Sequence, residues 1–220
     1  MGVAMETRLI LTTLGIFLLG CSETQYVSYD DGRPTDQIMV RAVEFEVFPT
    51  LYEAPPNCVI VLKPLVEPGL QQFSLPVERA FSRYLSEKVS RVVDGAKRDT
   101  IARQMALDLS QKSDLGHLAD EPNCGAVLIS RIVGPGDTFL LLWSRVQIGI
   151  EGQLIRISDG ATLWRARHVT GRSDGGLSIS PIGIAVDAIS SASLVNDKDV
   201  TASVADDGVR RLMGTRPNPF

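Results

Sequence analysis

Two short, continuous apolar runs limit the possible folds of this chain more than any other feature of its sequence. They occupy residues 58–62 (CVIVL) and 124–133 (CGAVLISRIV), and each is rich in β-branched side chains. Pro64 follows the first run, and Gly134-Pro135-Gly136 follows the second. Runs of this length between turn-forming residues are typical of buried strands, and such strands suit a sheet that is covered on both faces.

Helical patterns lie between these two runs. Residues 76–89 and 99–109 carry apolar side chains at spacings of three and four, and a further turn of helix is expected at 114–118. Residues 89–93 form a second short strand. Because parallel strands are joined by crossovers of this kind, the first half of the chain is expected to form βαβ units.

The second half of the chain shows a different pattern. Residues 138–157 alternate with period two, so that one face of a long strand is buried and the other is wet. Asp159-Gly160 supplies a tight turn into a returning strand at 162–170, and residues 197–213 form a C-terminal helix. The sequence therefore predicts a single α/β domain with a mixed (α+β) sheet: βαβαβ units, then an antiparallel hairpin, then a helix.

Composition excludes several classes of function. The 220 residues contain 22 Lys and Arg against 26 Asp and Glu, so no basic excess exists to neutralise nucleic-acid phosphates. Only two His and three Cys are present, and the chain contains no nucleophile elbow, Walker A, zinc-protease or dinucleotide-binding motif. We therefore expect no enzymatic activity, no metal site, no cofactor, no small-molecule substrate and no nucleic-acid partner.

The N-terminus carries a targeting signal. Residues 9–19 are an apolar run of eleven residues, whereas a membrane-spanning helix needs about 20. The run has the length of a signal-peptide hydrophobic region, and it ends in Leu18-Leu19-Gly20-Cys21.

A small residue before Cys at this place resembles the lipobox of bacterial lipoproteins. The resemblance implies that residues 1–20 are removed and that Cys21 is acylated, with palmitate among its acyl chains; this covalent lipid would be the only attached group. Ser22, in place of Asp, favours the outer membrane, with the protein facing the periplasm. Residues 21–37 are then a lipidated flexible tether, and 38–220 are the periplasmic domain. The alternative is an ordinary cleaved signal peptide followed by a chance Cys.

Four features in order resemble a group of envelope lipoproteins with CsgG-like, LpoB-like or TolB N-terminal-like α/β domains. They are the lipobox followed by coil, the strand ending in Lys63-Pro64, the strand from Asn123 to Ile129, and the long strand and turn ending in Leu163-Trp164. This resemblance implies assembly roles: CsgG-like members build outer-membrane secretion channels, and LpoB-like members activate a peptidoglycan synthase. The chain departs from the channel members because it lacks two long alternating hairpins, and from the synthase activators because it lacks a long proline-rich tether.

The predicted function is that of a membrane-anchored periplasmic lipoprotein that acts as a non-catalytic structural or assembly subunit of an envelope complex. Its partners would be other envelope proteins or further copies of the chain. The alternative is a CsgG-like oligomeric ring or secretion channel in the outer membrane.

Cys58 and Cys124 are a candidate disulfide, because each begins one of the two apolar runs. If the runs are adjacent parallel strands, about 4.8 Å apart, the two Cys lie at the same end of the sheet and within bridging range. The alternative is a pair of free thiols on strands that are not adjacent.

A candidate interaction surface lies in the weakly charged segment 177–195. Ile182, Val186 and Ile189 form one helical stripe there. The stripe either covers the sheet or remains exposed for oligomerisation or membrane contact. In the returning strand, His168 is expected to face solvent. A basic face is expected on the hairpin, and it is either solvated or meets an acidic partner or anionic lipid headgroups; its members are Arg165, Arg167 and Arg172, with Arg145 and Arg156.

Overall fold

The computed structural model describes residues 24–33, 35, 42–109, 111–134, 145–173 and 198–217. The strands are β1 (Gln25–Ser28), β2 (Ala42–Val47), β3 (Cys58–Val61), β4 (Leu65–Val66), β5 (Arg91–Val93), β6 (Ala126–Val133), β7 (Arg145–Arg156) and β8 (Thr162–Ser173). The helices are α1 (Thr50–Glu53), α2 (Ser74–Ser86), α3 (Gly95–Met105), α4 (Lys112–Asp120) and α5 (Lys198–Gly214), with a 3₁₀ turn at Gln71–Phe73.

All eight strands belong to one mixed sheet in the order β1-β2-β8-β7-β6-β3-β5, with β4 paired to β6. Strand β3 pairs in parallel with β5 on one side and with β6 on the other, as expected for βαβ units, while β6, β7 and β8 are joined in antiparallel fashion. Gly160, at a positive φ of 74°, turns the chain between β7 and β8. The predicted α/β mixed-sheet domain is therefore confirmed.

The central strands are the two runs that the sequence singles out. Every residue of β3 is buried, and β3 pairs with β6 in the register Val59↔Ala126. Most of β6 is buried as well, and only Arg131 is fully exposed. Continuous apolar sequence is required here because helices cover both faces of the sheet at this place.

One face of the sheet packs against α2 and α5 and holds the larger core. Phe81 and Trp164 are fully buried there, together with Leu85 and Val209. Gly152 on β7 makes this packing possible: a Cβ at that position would lie 3.1 Å from the Phe81 ring and 3.2 Å from the Trp164 ring.

The opposite face is divided into two halves. Over β3, β5 and β6, the helices α3 and α4 bury a second apolar cluster that includes Ile60, Val93 and Val127. Over β2, β8 and β7 the same face carries charged side chains, because Glu44 lies opposite Arg167, and Arg167 lies opposite Glu151. In the part of the chain that the structure describes, no helix covers this charged half.

The N-terminal segment differs from the flexible tether expected over residues 21–37. Gln25–Ser28 form strand β1, which pairs in parallel with β2 at the edge of the sheet. Strand β2 consequently lies inside the sheet, between β1 and β8. The signal peptide and the start of the periplasmic domain remain predictions.

Candidate functional site

Strand β1 connects the proposed anchor to the domain, and burial of its own side chains does not explain why it is held in place. All four residues are exposed, with Tyr26 at 52% and Val27 at 37%. The Tyr26 ring makes one edge-on contact with Phe45, at 6.4 Å between ring centroids. The segment is therefore held by its backbone pairing with β2 and by the contacts of the residues on either side of it.

Arg167 and Glu44 hold the chain that follows β1. Glu44 is fully buried, and the Arg167 Nη2 donates to its Oε2 over 2.6 Å. Arg33 reaches the other oxygen of Glu44 over 2.7 Å. Arg167 also donates to the backbone oxygen of Asp30. A buried carboxylate with two guanidinium partners is well satisfied, whereas removing one partner would leave an uncompensated charge.

Tyr29 lies between two guanidinium groups. The Arg165 and Arg167 guanidinium carbons are 4.1 Å and 4.4 Å from its ring centroid, which is cation–π distance. Burial raises the pKa of Tyr29, and the charge of Arg167 opposes that rise. Arg165 also binds both carboxylate oxygens of Asp31, at 2.6 and 2.9 Å, and this hydrogen bonding lowers the pKa of Asp31.

We refer to residues 29–33 with Glu44, Arg165 and Arg167 as the ionic latch. It covers part of the charged half of the sheet that no described helix covers. The expectation that this basic face is solvated is wrong for Arg167, which is only 5% exposed. The pairing of β2 with β8 brings Glu44 opposite Arg167, and the sequence pattern of a single strand does not reveal such a pairing.

Helix α5 fixes the first described residue. The Arg211 Nη1 donates to the hydroxyl of Thr24, just before β1 begins. Near the end of the helix, a Cβ on Gly214 would lie 3.5 Å from the Tyr26 hydroxyl, so the ring of Tyr26 reaches the last turn. The position of Thr24 is therefore set by both the sheet and α5.

The structure brings Cys58 and Cys124 together as a disulfide, with their Cα atoms 4.6 Å apart. The two residues are 2% and 6% exposed and belong to the second apolar cluster. Asn123 adopts a left-handed φ of 51°, a conformation that Asn tolerates better than most residues, and so directs Cys124 towards Cys58.

A cleft of about 730 Å³ opens beside the disulfide. Arg91 lines it, and its Nε lies 3.3 Å from the Cys58 sulfur, while its Nη2 donates to the Asn123 oxygen over 3.2 Å. Arg156, also on the cleft, is held by Asp159 and by the backbone oxygen of Thr50. Both cations of the cleft thus have partners within the fold.

His168 does not face solvent, contrary to the expectation from the sequence. It is 1% exposed, and its Nδ1 lies 2.7 Å from the Ala42 backbone oxygen. Burial lowers the pKa of this imidazole from its usual value. Among the described residues, no group of three His, Cys, Asp or Glu side chains is arranged to hold a metal ion.

Several candidate residues from the sequence lie outside the described residues. They are the lipid attachment residue Cys21 and the stripe of Ile182, Val186 and Ile189. Within the described part of the chain, no helix combines the length and the apolar character needed to cross a bilayer.

No protein-family model and no curated protein matches the chain. Solved structures with a related fold include the PelC dodecamer from Paraburkholderia phytofirmans, at 16% identity and a TM-score of 0.42 over 81% of this chain and 97% of that one. Lipoprotein GNA1162 from Neisseria meningitidis is 18% identical, with a TM-score of 0.43 over 64% of this chain and 99% of that one. The LpoB C-terminal domain from Salmonella enterica is 14% identical, with a TM-score of 0.40 over 51% of this chain and 81% of that one. At these values each is a distant likeness in fold.

Proposed function

We propose that the chain is a lipoprotein of the bacterial envelope, anchored through Cys21, whose periplasmic domain has a non-catalytic structural or assembly role. The disulfide between Cys58 and Cys124 is the observation that carries the proposal, because disulfides persist in oxidising compartments such as the periplasm. It agrees with the apolar run at residues 9–19 and the Gly20-Cys21 pair that ends it.

The use of charged groups in the described structure supports a structural role. The guanidinium of Arg98 is 2% exposed, and it donates to Glu78 over 2.6 Å and to the Val61 oxygen over 2.9 Å. Glu44 and Arg167 are paired in the same way. These buried charges satisfy one another within the fold, so their role in the described structure is to stabilise the domain.

Lipid attachment is tested by growing a Gram-negative host that expresses the full chain with an alkyne analogue of palmitate. The wild-type protein is expected to take up the label and to fractionate with the outer membrane, because two or more acyl chains give stable anchoring. Cys21→Ser is expected to lose the label, whereas the control Cys58→Ala/Cys124→Ala keeps it. A label that persists in Cys21→Ser, or a wild-type protein without label, contradicts the anchor.

The assembly role is tested by crosslinking in the intact envelope and by light scattering on residues 24–220. We expect the full chain to be captured with other envelope proteins, while scattering gives the number of copies in the isolated domain. A mass of many copies would favour the ring alternative. A chain that crosslinks to no protein, itself included, would contradict an assembly role.

A further inference from the structure

The described fold leaves very little chain between the proposed anchor and the domain. Thr24 is already bonded to Arg211, and β1 begins at the next residue. Two residues, Ser22 and Glu23, separate Cys21 from Thr24, so three Cα-to-Cα steps join them. Because an extended residue spans at most about 3.3–3.6 Å, this connection reaches only about 10 Å, whereas the expected tether of residues 21–37 would reach roughly 55 Å.

We propose that the membrane surface covers the edge of the domain formed by β1 and the last turns of α5, so that the domain lies against the bilayer. We name this edge the anchor face; its members are the exposed Gln25, Tyr26, Val27 and Arg210 and the partly exposed Arg211. The inference rests on the proposed acylation of Cys21. Because the connection is so short, a lipid on Cys21 brings the bilayer next to this face. The bilayer is therefore the expected occupant of the anchor face.

The side chains of the anchor face suit a phospholipid headgroup region. Tyr26 and Val27 are among the most exposed large apolar side chains of the described residues, and tyrosine is enriched where membranes meet water. Arg210 and Arg211 share one carboxylate, that of Asp207, so the three groups leave one positive charge. The short connection keeps that charge about 10 Å from the lipid. This distance is close to the Debye length of about 8 Å at physiological salt, so the attraction to anionic headgroups is only partly screened.

The pairing of β1 with β2 keeps the connection short, and the ionic latch limits how far it could lengthen. A longer reach requires β1 to leave β2, and the residues after β1 are held by the buried pair of Glu44 and Arg167. Arg165 adds a bidentate pair with Asp31 on the surface. The short connection is therefore a property of the folded domain.

Two exposed tyrosines give a matched test of contact with lipid. Tyr26 is 52% exposed on the anchor face, and Tyr52 is 57% exposed on α1. Tyr26 lies opposite Val43, and β2 runs on from there to Val47 before α1 begins. At about 3.3 Å per residue, the part of β2 from Val43 to Val47 runs about 13 Å away from the anchor before the chain reaches Tyr52.

The experiment uses the lipidated full chain in vesicles of phosphatidylethanolamine and phosphatidylglycerol, with and without bromines near the glycerol end of the acyl chains. The Tyr26→Trp variant is expected to lose roughly half of its added fluorescence in brominated vesicles, after subtraction of the parent protein, since interfacial aromatic rings lie at headgroup level. The Tyr52→Trp variant is expected to be unaffected. Circular dichroism confirms that both variants remain folded.

A spacer variant separates this inference from the anchor. Twelve Gly and Ser residues inserted between Glu23 and Thr24 add a flexible reach of roughly 19 Å, so the variant should stay on the vesicles but lose the quenching of Tyr26→Trp. Unquenched Tyr26→Trp on vesicle-bound protein of normal length would overturn the docked orientation while leaving the anchor intact. Quenching that survives the spacer would overturn the argument from chain length. Protein that does not float with the vesicles would overturn the anchor itself.

Discussion

Removing the bridge between Cys58 and Cys124 is expected to destabilise the domain substantially. The informative variant is Cys58→Ala/Cys124→Ala, because both residues are buried and alanine adds no polar group there. The Arg91 Nε loses the Cys58 sulfur in this variant, but Arg91 is exposed and water can replace that contact. The same bridge can be opened in the wild-type protein by reduction, which provides an independent route to the same state.

The magnitude follows from the sequence separation of 66 residues. In the chain-entropy model, a loop of this size lowers the stability of the unfolded state by about 4 kcal/mol at 25 °C. For a domain of this size, each 1 kcal/mol shifts the melting temperature by about 2–4 °C, so the expected fall is roughly 8–16 °C. The loss of two buried sulfur atoms from the second apolar cluster adds to the fall in the double variant.

The assay is thermal unfolding followed by circular dichroism, on residues 24–220 and with and without reductant. The wild-type domain is expected to lose stability on reduction, and the double variant is expected to be indifferent to reductant. Thiols are counted in denatured, unreduced protein beforehand. Two free thiols at that stage, or a melting temperature that complete reduction leaves unchanged, would refute the reasoning.

Two further predictions concern single residues. His168 has a lowered pKa in the folded state, so the unfolded chain takes up a proton first as the pH falls below about 6.5. Wild-type stability should therefore decline between pH 6.5 and 5 more steeply than that of His168→Asn, measured by urea unfolding; equal slopes would contradict this. Gly208→Ala should destabilise by about 1 kcal/mol, because its Cβ would lie 2.6 Å from Thr170. Gly116→Ala, with open space around its Cβ, should stabilise by up to about 1 kcal/mol; the opposite order in thermal melts would contradict the packing argument.

The sheet could be predicted largely from local pattern. The two apolar runs became β3 and β6, and the alternating stretch before Asp159-Gly160 became β7, with Ile148, Ile150 and Leu154 buried on one face. These predictions succeeded because a strand buried on both faces is continuously apolar, whereas a strand buried on one face alternates apolar and polar residues.

Helix starts were less well predicted, because capping residues resemble turn residues. The sequence pattern predicts a strand at residues 89–93 and a helix only from residue 99. In the structure the Asp94 side chain accepts a hydrogen bond from the Lys97 amide over 2.9 Å, and α3 begins at Gly95. An Asp that caps a helix and an Asp in a turn make the same local hydrogen bond, so a single sequence does not separate them.

The ionic latch could not be predicted, since its parts are far apart in the chain. Alternating charges at Glu44 and Glu46, and at Arg165 and Arg167, are the usual mark of a solvent-facing strand side. The register of β2 against β8 places the two sets opposite each other and allows residues 29–33 to fold over them. The same register pairs His168 with Val43, a residue of the larger core, and places its Nδ1 beside the Ala42 backbone oxygen, which explains its unexpected burial.

The composition of the latch determines how firmly the domain is held near its anchor. A buried ion pair adds little net stability over an apolar pair, yet breaking it costs about 3–5 kcal/mol because one charge is left buried and alone. Release of residues 29–33 takes Arg33 and the Asp30 backbone away from Glu44 and Arg167, so partial loosening is unfavourable. The pair of Arg165 and the exposed Asp31 is weakened by salt, whereas the buried pair is screened much less. Over the physiological range of salt, residues 29–33 should therefore stay on the sheet, so that any lengthening of the chain between lipid and domain is limited to β1 itself.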